Sequence, residues 1–129
     1  MKYFICALDK VQMGIPAERT ARVISTGRSQ TVPRETENGD VFISLPLLFG
    51  LKETFAPHGI ILKTEGAGKT ALLTPPIDID LEIPEESVCQ LPDALSPLAA
   101  FFTGVYFSGE EAVLILNPGS LVEYVMRLQ

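Results

Sequence analysis

Apolar and polar positions alternate with a period of two over much of this chain, and glycine or proline interrupts the pattern every few residues. That pattern predicts a mostly β fold built from short strands. Residues 77–83 alternate most strictly. Ile77, Ile79, Leu81 and Ile83 are spaced to face inward, and Asp78, Asp80 and Glu82 outward, as in a strand with one wet face. Residues 101–121, FFTGVYFSGEEAVLILNPGSL, are the stretch around which the rest must close. An apolar strand through Phe102, Val105 and Phe107 reaches a turn at Ser108 and Gly109, returns as a second strand over 112–116, and leads through Asn117 and Pro118 into a short helix. Residues 113–116 are apolar without alternation. Both faces of that strand are therefore expected to be covered, as in a small barrel curled round its own core.

The remaining elements follow in order. Residues 2–8 and 11–15 read as a hairpin about Asp9 and Lys10, ended by Met13-Gly14-Ile15-Pro16, and residues 16–19 as one helical turn before a strand over 20–25. Residues 26–40 read as a polar, mobile loop closing on the Asn38-Gly39 turn. A strand over 41–45 precedes a short helix over 46–51 capped by Gly50. Residues 60–65 and 70–74 form a further hairpin, a turn or short helix is expected over 84–88, and residues 91–97 form a proline-bounded connection. No internal repeat is visible in the sequence.

Composition narrows the class. The 129 residues allow one folding unit, a single domain over 1–129, and 47% hydrophobic residues suit a packed core. No apolar run is long enough to cross a bilayer, and the opening MKYFICALDK turns polar too soon for a signal peptide, so a cytoplasmic protein without membrane insertion is expected. A net charge of −6 argues against nucleic acid as a partner. The charge is also unevenly spread. Residues 1–64 hold eight Lys and Arg against six Asp and Glu, whereas the rest hold two against ten. The halves differ in sign, which suits either two solvated faces or head-to-tail contacts.

Catalytic and ligand-binding patterns are weak. Cys6 and Cys89 are far apart in sequence and form no CxxC motif, and with one histidine, His58 on a Pro57-His58-Gly59 turn, they assemble neither a zinc site nor a disulfide framework. Both thiols are expected to be buried. GAGKT at 66–70 imitates a phosphate loop, but Lys63 stands where that motif needs glycine, and Pro75 and Pro76 preclude the following helix. Of the acidic residues Asp78, Asp80, Glu82, Glu85 and Glu86, the first three fall in a row along one wet strand face, and the stretch lacks EF-hand spacing. No GxSxG turn accompanies His58. No enzyme, cofactor or metal is expected. With no tryptophan and only Tyr3, Tyr106 and Tyr124, the chain also lacks the aromatic platform of a sugar-binding barrel.

FFTGVYFSGEEAVLILNPGSL resembles the C-terminal signature of the CheW-like domain, the coupling protein family of bacterial chemotaxis. Three other stretches agree in order and spacing: KYFICALDKVQMGIPAERTARVI with the family's opening strand pair and its YGIP-type break, VFISLPLLFGL with VxDLRxLFGL, and ALLTPPIDIDLEIPEESV with GLLVDEVxEVxxIPPExI. The resemblance covers nearly the whole chain. It departs from the family in four places. The N-L-R-G segment retains only Gly39, Ser44 replaces an aspartate, Thr74-Pro75 replaces Val-Asp, and V-x-E-V becomes Thr20-Ala21-Arg22-Val23 with its charge reversed.

The resemblance implies a pair of small five-stranded β-barrels around a shared hydrophobic core, with short helices and no chemistry of its own. It also implies an adaptor that joins the cytoplasmic tip of chemoreceptors to the CheW-like regulatory domain of a histidine kinase. By position in the family pattern, Thr20, Arg22, Val23 and Gly39 are the expected partner-binding residues. The departures suit a second reading, a degenerate regulatory or self-associating module that no longer binds receptors.

Overall fold

The computed structural model describes residues 1–51, 56–64 and 68–127. Its ten strands form two five-stranded sheets, and the chain divides into two compact units, residues 1–18 with 78–129 and residues 19–77. A mostly β chain with two five-stranded sheets and short helices is what the sequence predicted. Both sheets are open, with edge strands at each end, rather than the closed barrels expected.

The first unit contains β1 (Lys2–Leu8), β2 (Val11–Pro16), β8 (Ile77–Glu82), β9 (Phe102–Ser108) and β10 (Glu111–Leu116), in the order β8-β1-β2-β10-β9. Hairpin β1–β2 turns at Asp9, whose φ is +57°, and hairpin β9–β10 turns at Gly109, φ +63°. The hairpins join through a parallel pairing of β10 with β2. Tyr3, Ile5, Ile83, Val113 and Ile115 form a buried cluster. The predicted helix after β10 is ten residues, α2 (Pro118–Arg127). Pro118 opens it, Asn117 Oδ1 accepts the Ser120 N–H at 3.2 Å, and Leu121 and Val125 face inward. The continuously apolar 113–116 segment is covered on both faces except at Leu114, which is half-buried.

The second unit contains β3 (Thr20–Ser25), β4 (Arg34–Glu37), β5 (Asp40–Ser44), β6 (His58–Leu62) and β7 (Thr70–Thr74), in the order β3-β6-β7-β5-β4. Its layout repeats that of the first: hairpins β6–β7 and β4–β5 join through a parallel β5–β7 pair, and a fifth strand flanks one end. β3 in this sheet and β8 in the other hold equivalent positions. Asn38 and Gly39 both have positive φ, +53° and +85°, as a two-residue turn of the type I′ class requires. The helix predicted over 46–51 is a single turn, α1 (Leu45–Leu48). Ser44 caps it by accepting the Leu47 N–H at 3.3 Å, so the serine found where the family carries aspartate keeps the capping chemistry.

The loop expected to be polar and mobile is ordered by named contacts. It contains β4, which its sequence RETE hid, and it buries Gln30. Gln30 Nε2 donates to the carbonyls of Val32, Pro33 and Phe42 at 3.0, 3.3 and 3.3 Å. Arg28 lies over the Phe42 ring, 3.8 Å from its centroid, while binding Glu37 at 2.8 Å and Glu35 at 3.1 Å.

Candidate functional site

The four expected contact residues do not share one place. Thr20, Arg22 and Val23 lie on β3 at one edge of the second sheet, whereas Gly39 lies in the β4–β5 turn at the opposite edge. Three pairings of the sheet fix what β3 presents. Val23 stands opposite Ile60, Ile60 opposite Leu72, and Leu72 opposite Ile43, so one apolar row crosses four strands. Ile43, Ile60 and Leu72 are fully buried, and Val23, which ends the row at the sheet edge, is 39% exposed. Arg22 projects to the other face beside Ile61 and is exposed. Thr20 is buried at the start of the strand, next to a register irregularity between Thr20 and Arg22.

Gly39 has a structural duty. Its φ of +85° suits the turn, and its carbonyl oxygen lies so close to Gly68 that a Cβ there would collide with it. The Asp40 carboxylate then accepts the Lys69 N–H at 2.9 Å. The described part of the GAGKT stretch, Gly68 to Thr70, is thus committed to packing against the β4–β5 turn. Gly66 and Ala67 lie outside the described residues.

Other candidate groups resolve differently from expectation. Cys6 is buried, and burial, with a smaller contribution from the Asp78 charge, pushes its thiol up to about 12. Cys89, expected to be buried, is exposed, because it sits on an isolated bridge alongside β9 rather than inside a sheet. His58 opens β6 rather than sitting in a turn, and its Nδ1 accepts the Ile77 N–H at 3.1 Å. Ile79, expected to face inward, is 55% exposed. β8 is an edge strand, so its alternation does not guarantee a covered inner face. Among the described residues, no three His, Cys, Asp or Glu side chains converge on a point.

The sequence did not foretell a groove of about 620 Å³ beside β2, β10 and β9, lined by Val11, Leu95, Leu98, Phe107 and Leu114 with Lys10, Glu110 and Glu111 at its rim. Phe107, one of the apolar positions of the predicted strand, is 56% exposed. No described helix is long and apolar enough to cross a membrane.

Comparison with known proteins adds a likeness in structure. No family model and no curated protein matches the sequence. The structure is similar to that of the scaffolding protein TtCheW from Thermoanaerobacter tengcongensis, with a TM-score of 0.69 and 19% sequence identity over 90% of this chain and 88% of that one. The chain has a CheW-like fold.

Proposed function

We propose that this protein is a non-enzymatic adaptor in chemotaxis-type signal transduction, coupling the cytoplasmic tip of chemoreceptors to the CheW-like regulatory domain of a histidine kinase. The observation that carries the reading is the open β3 edge. It sits in a CheW-like fold, at the positions the family pattern assigns to partner contact, and there Val23 brings a buried apolar row out to the surface beside the exposed Arg22. Sheet edges and apolar strips are what such modules offer to a partner. The sequence offers no constellation for catalysis, and its one histidine spends a ring nitrogen on the Ile77 amide.

The test is binding of the purified protein to the kinase regulatory domain and to a chemoreceptor cytoplasmic fragment from the same source, at low and physiological salt. Arg22→Glu is expected to change the affinity for one of them while leaving the melting temperature within about 2 °C, as for a surface substitution. An unaltered affinity for both removes Arg22 from the contact. A folded protein that binds neither supports the second reading, a CheW-like regulatory or self-assembling module without receptor binding. That reading is favoured by an arginine at a position where the family carries glutamate.

A further inference from the structure

We infer that the groove beside β2, β10 and β9 is a docking site for a cationic amphipathic helix of a partner protein. The groove is separate from the β3 edge, since every residue that lines it belongs to the first unit. In the β9–β10 register Leu114 stands opposite Val105 and Ala112 opposite Phe107, and strand alternation puts these four side chains on one face. Val113 and Ile115 alternate with them and point the other way, into the buried cluster with Tyr3, Ile5 and Ile83. The groove is therefore on the outer face of the first sheet.

That face is apolar and incompletely covered. Val105 is buried, Leu114 half-buried and Phe107 56% exposed, so shelter runs out toward the β9–β10 turn. Val11, at the start of neighbouring β2, is 45% exposed. The other wall is the 3-10 helix Asp93–Leu98, none of whose residues is buried. With three residues per turn, Leu95 and Leu98 lie one above the other on it, both half-buried and both lining the groove. An apolar run beside a parallel neighbour, as in β10, suits a strand sheltered on both faces. The chain itself leaves Ala112 and Leu114 without that shelter.

The rim decides what completes it. Glu110 and Glu111 border the groove with no ion pair among the described residues, and Lys10 is the one cation among the lining residues. The unit as a whole holds three Lys and Arg against eleven Asp and Glu. A cationic segment is drawn to that field and an acidic one is repelled. The walls are apolar side chains, which take the apolar stripe of a helix, with anchors at i, i+3 and i+4. A volume of about 620 Å³ lies in the range of clefts that hold specific ligands.

The probe is a fluorescein-labelled synthetic helix of leucine and lysine, about 18 residues long so that it is stable as a helix once bound, with its leucines confined to one face. Fluorescence anisotropy follows its titration with the purified full chain. The chain is expected to bind it at least tenfold more tightly than the same helix with glutamate in place of lysine. The same margin is expected over a scrambled peptide whose leucines are dispersed round the helix. Phe107→Ser should weaken binding about tenfold, through loss of an aromatic anchor. Glu110→Lys combined with Glu111→Lys should weaken the lysine helix by a similar factor and strengthen the glutamate helix. Val32→Ser, at a similarly exposed apolar position in the other unit, should change nothing. A chain that does not bind the lysine helix overturns the inference. So does equal binding of the scrambled peptide, or binding that Phe107→Ser and the double charge reversal both leave unchanged. None of these outcomes bears on Arg22 or on binding to the kinase and receptor, so the adaptor reading stands or falls separately.

Discussion

Gly104 lies directly against the Cys89 carbonyl: a Cβ at position 104 would stand 2.5 Å from that oxygen and 2.7 Å from Val88 Cγ1. The close approach lets Cys89 bridge β9, and the glycine in the FFTGVYFS stretch is there for packing rather than for a turn. Neither obstacle is the free end of a long side chain, so the backbone must shift. Gly104→Ala is expected to destabilise the protein by about 1–3 kcal/mol, the range of overpacking substitutions. Gly27→Ala, at a position with nothing within 4 Å, should stay within about 0.5 kcal/mol of the unsubstituted chain. Urea unfolding of the two variants checks the contrast. Equal midpoints would show that the Cys89 bridge can move aside without cost.

Gln30 is the second position where a small change should be felt. Its amide nitrogen faces the carbonyls of Val32, Pro33 and Phe42 from a buried site. Gln30→Glu keeps the shape and replaces the donor with an acceptor, which leaves three carbonyls facing a carboxylate. A loss of about 2 kcal/mol or more is expected. Arg28→Ala, which removes part-exposed ion pairs and the contact with Phe42, should cost about 1 kcal/mol. If Gln30→Glu unfolds at the same denaturant concentration as the original, the loop is not held by this amide.

These two sites mark where the sequence was legible and where it was not. β1, β3 and β7 fall where alternation and turn residues put them, because hairpin chemistry is local. β4 was hidden because Arg34, Glu35, Thr36 and Glu37 are all polar, and their order comes from Arg28 and Phe42, partners that no local pattern names. Ile79 kept the alternation of a buried face yet is exposed, since the sheet order that makes β8 an edge is a non-local fact. Of the candidate site, Arg22 and Val23 were correctly read as strand residues. That Val23 ends a buried row, and that Gly39 lies at the far edge of the same sheet, needed the register.

The two cysteines should behave as different chemical groups. Exposed Cys89 is expected to react with a thiol reagent at neutral pH, and Cys6 only after unfolding. The Cys6 thiol is raised from 9.0 to about 12 by burial first and Asp78 second. Below pH 9 both folded and unfolded chains hold the neutral thiol, and its contribution to stability is intact. Above that the unfolded chain loses its proton first, so stability should fall by up to about 1.4 kcal/mol per pH unit until the folded thiol also titrates. Tyr3, raised from 10.0 mainly by burial and then by Glu18 and Glu85, adds to the decline only at higher pH. Cys6→Ala should therefore be less stable at neutral pH yet decline more slowly between pH 9 and 10. A parallel decline in both proteins would assign the alkaline loss to other groups.

Thr74 offers a stabilising change. It is fully buried at the end of β7, and its hydroxyl has no hydrogen-bond partner among the described residues. The residue opposite it is His58, whose Nδ1 is already taken by the Ile77 amide at 3.1 Å. Valine has the same outline and no hydroxyl, so Thr74→Val removes an unpaired polar group and keeps the packing. It should raise stability by about 1 kcal/mol. Thr74→Ser keeps the hydroxyl and deletes the methyl, and should instead lower stability by about 1 kcal/mol. Opposite shifts in melting temperature for the two variants are the expected result. A Thr74→Val protein that melts lower than the original would mean that the hydroxyl makes a bond that sustains the fold.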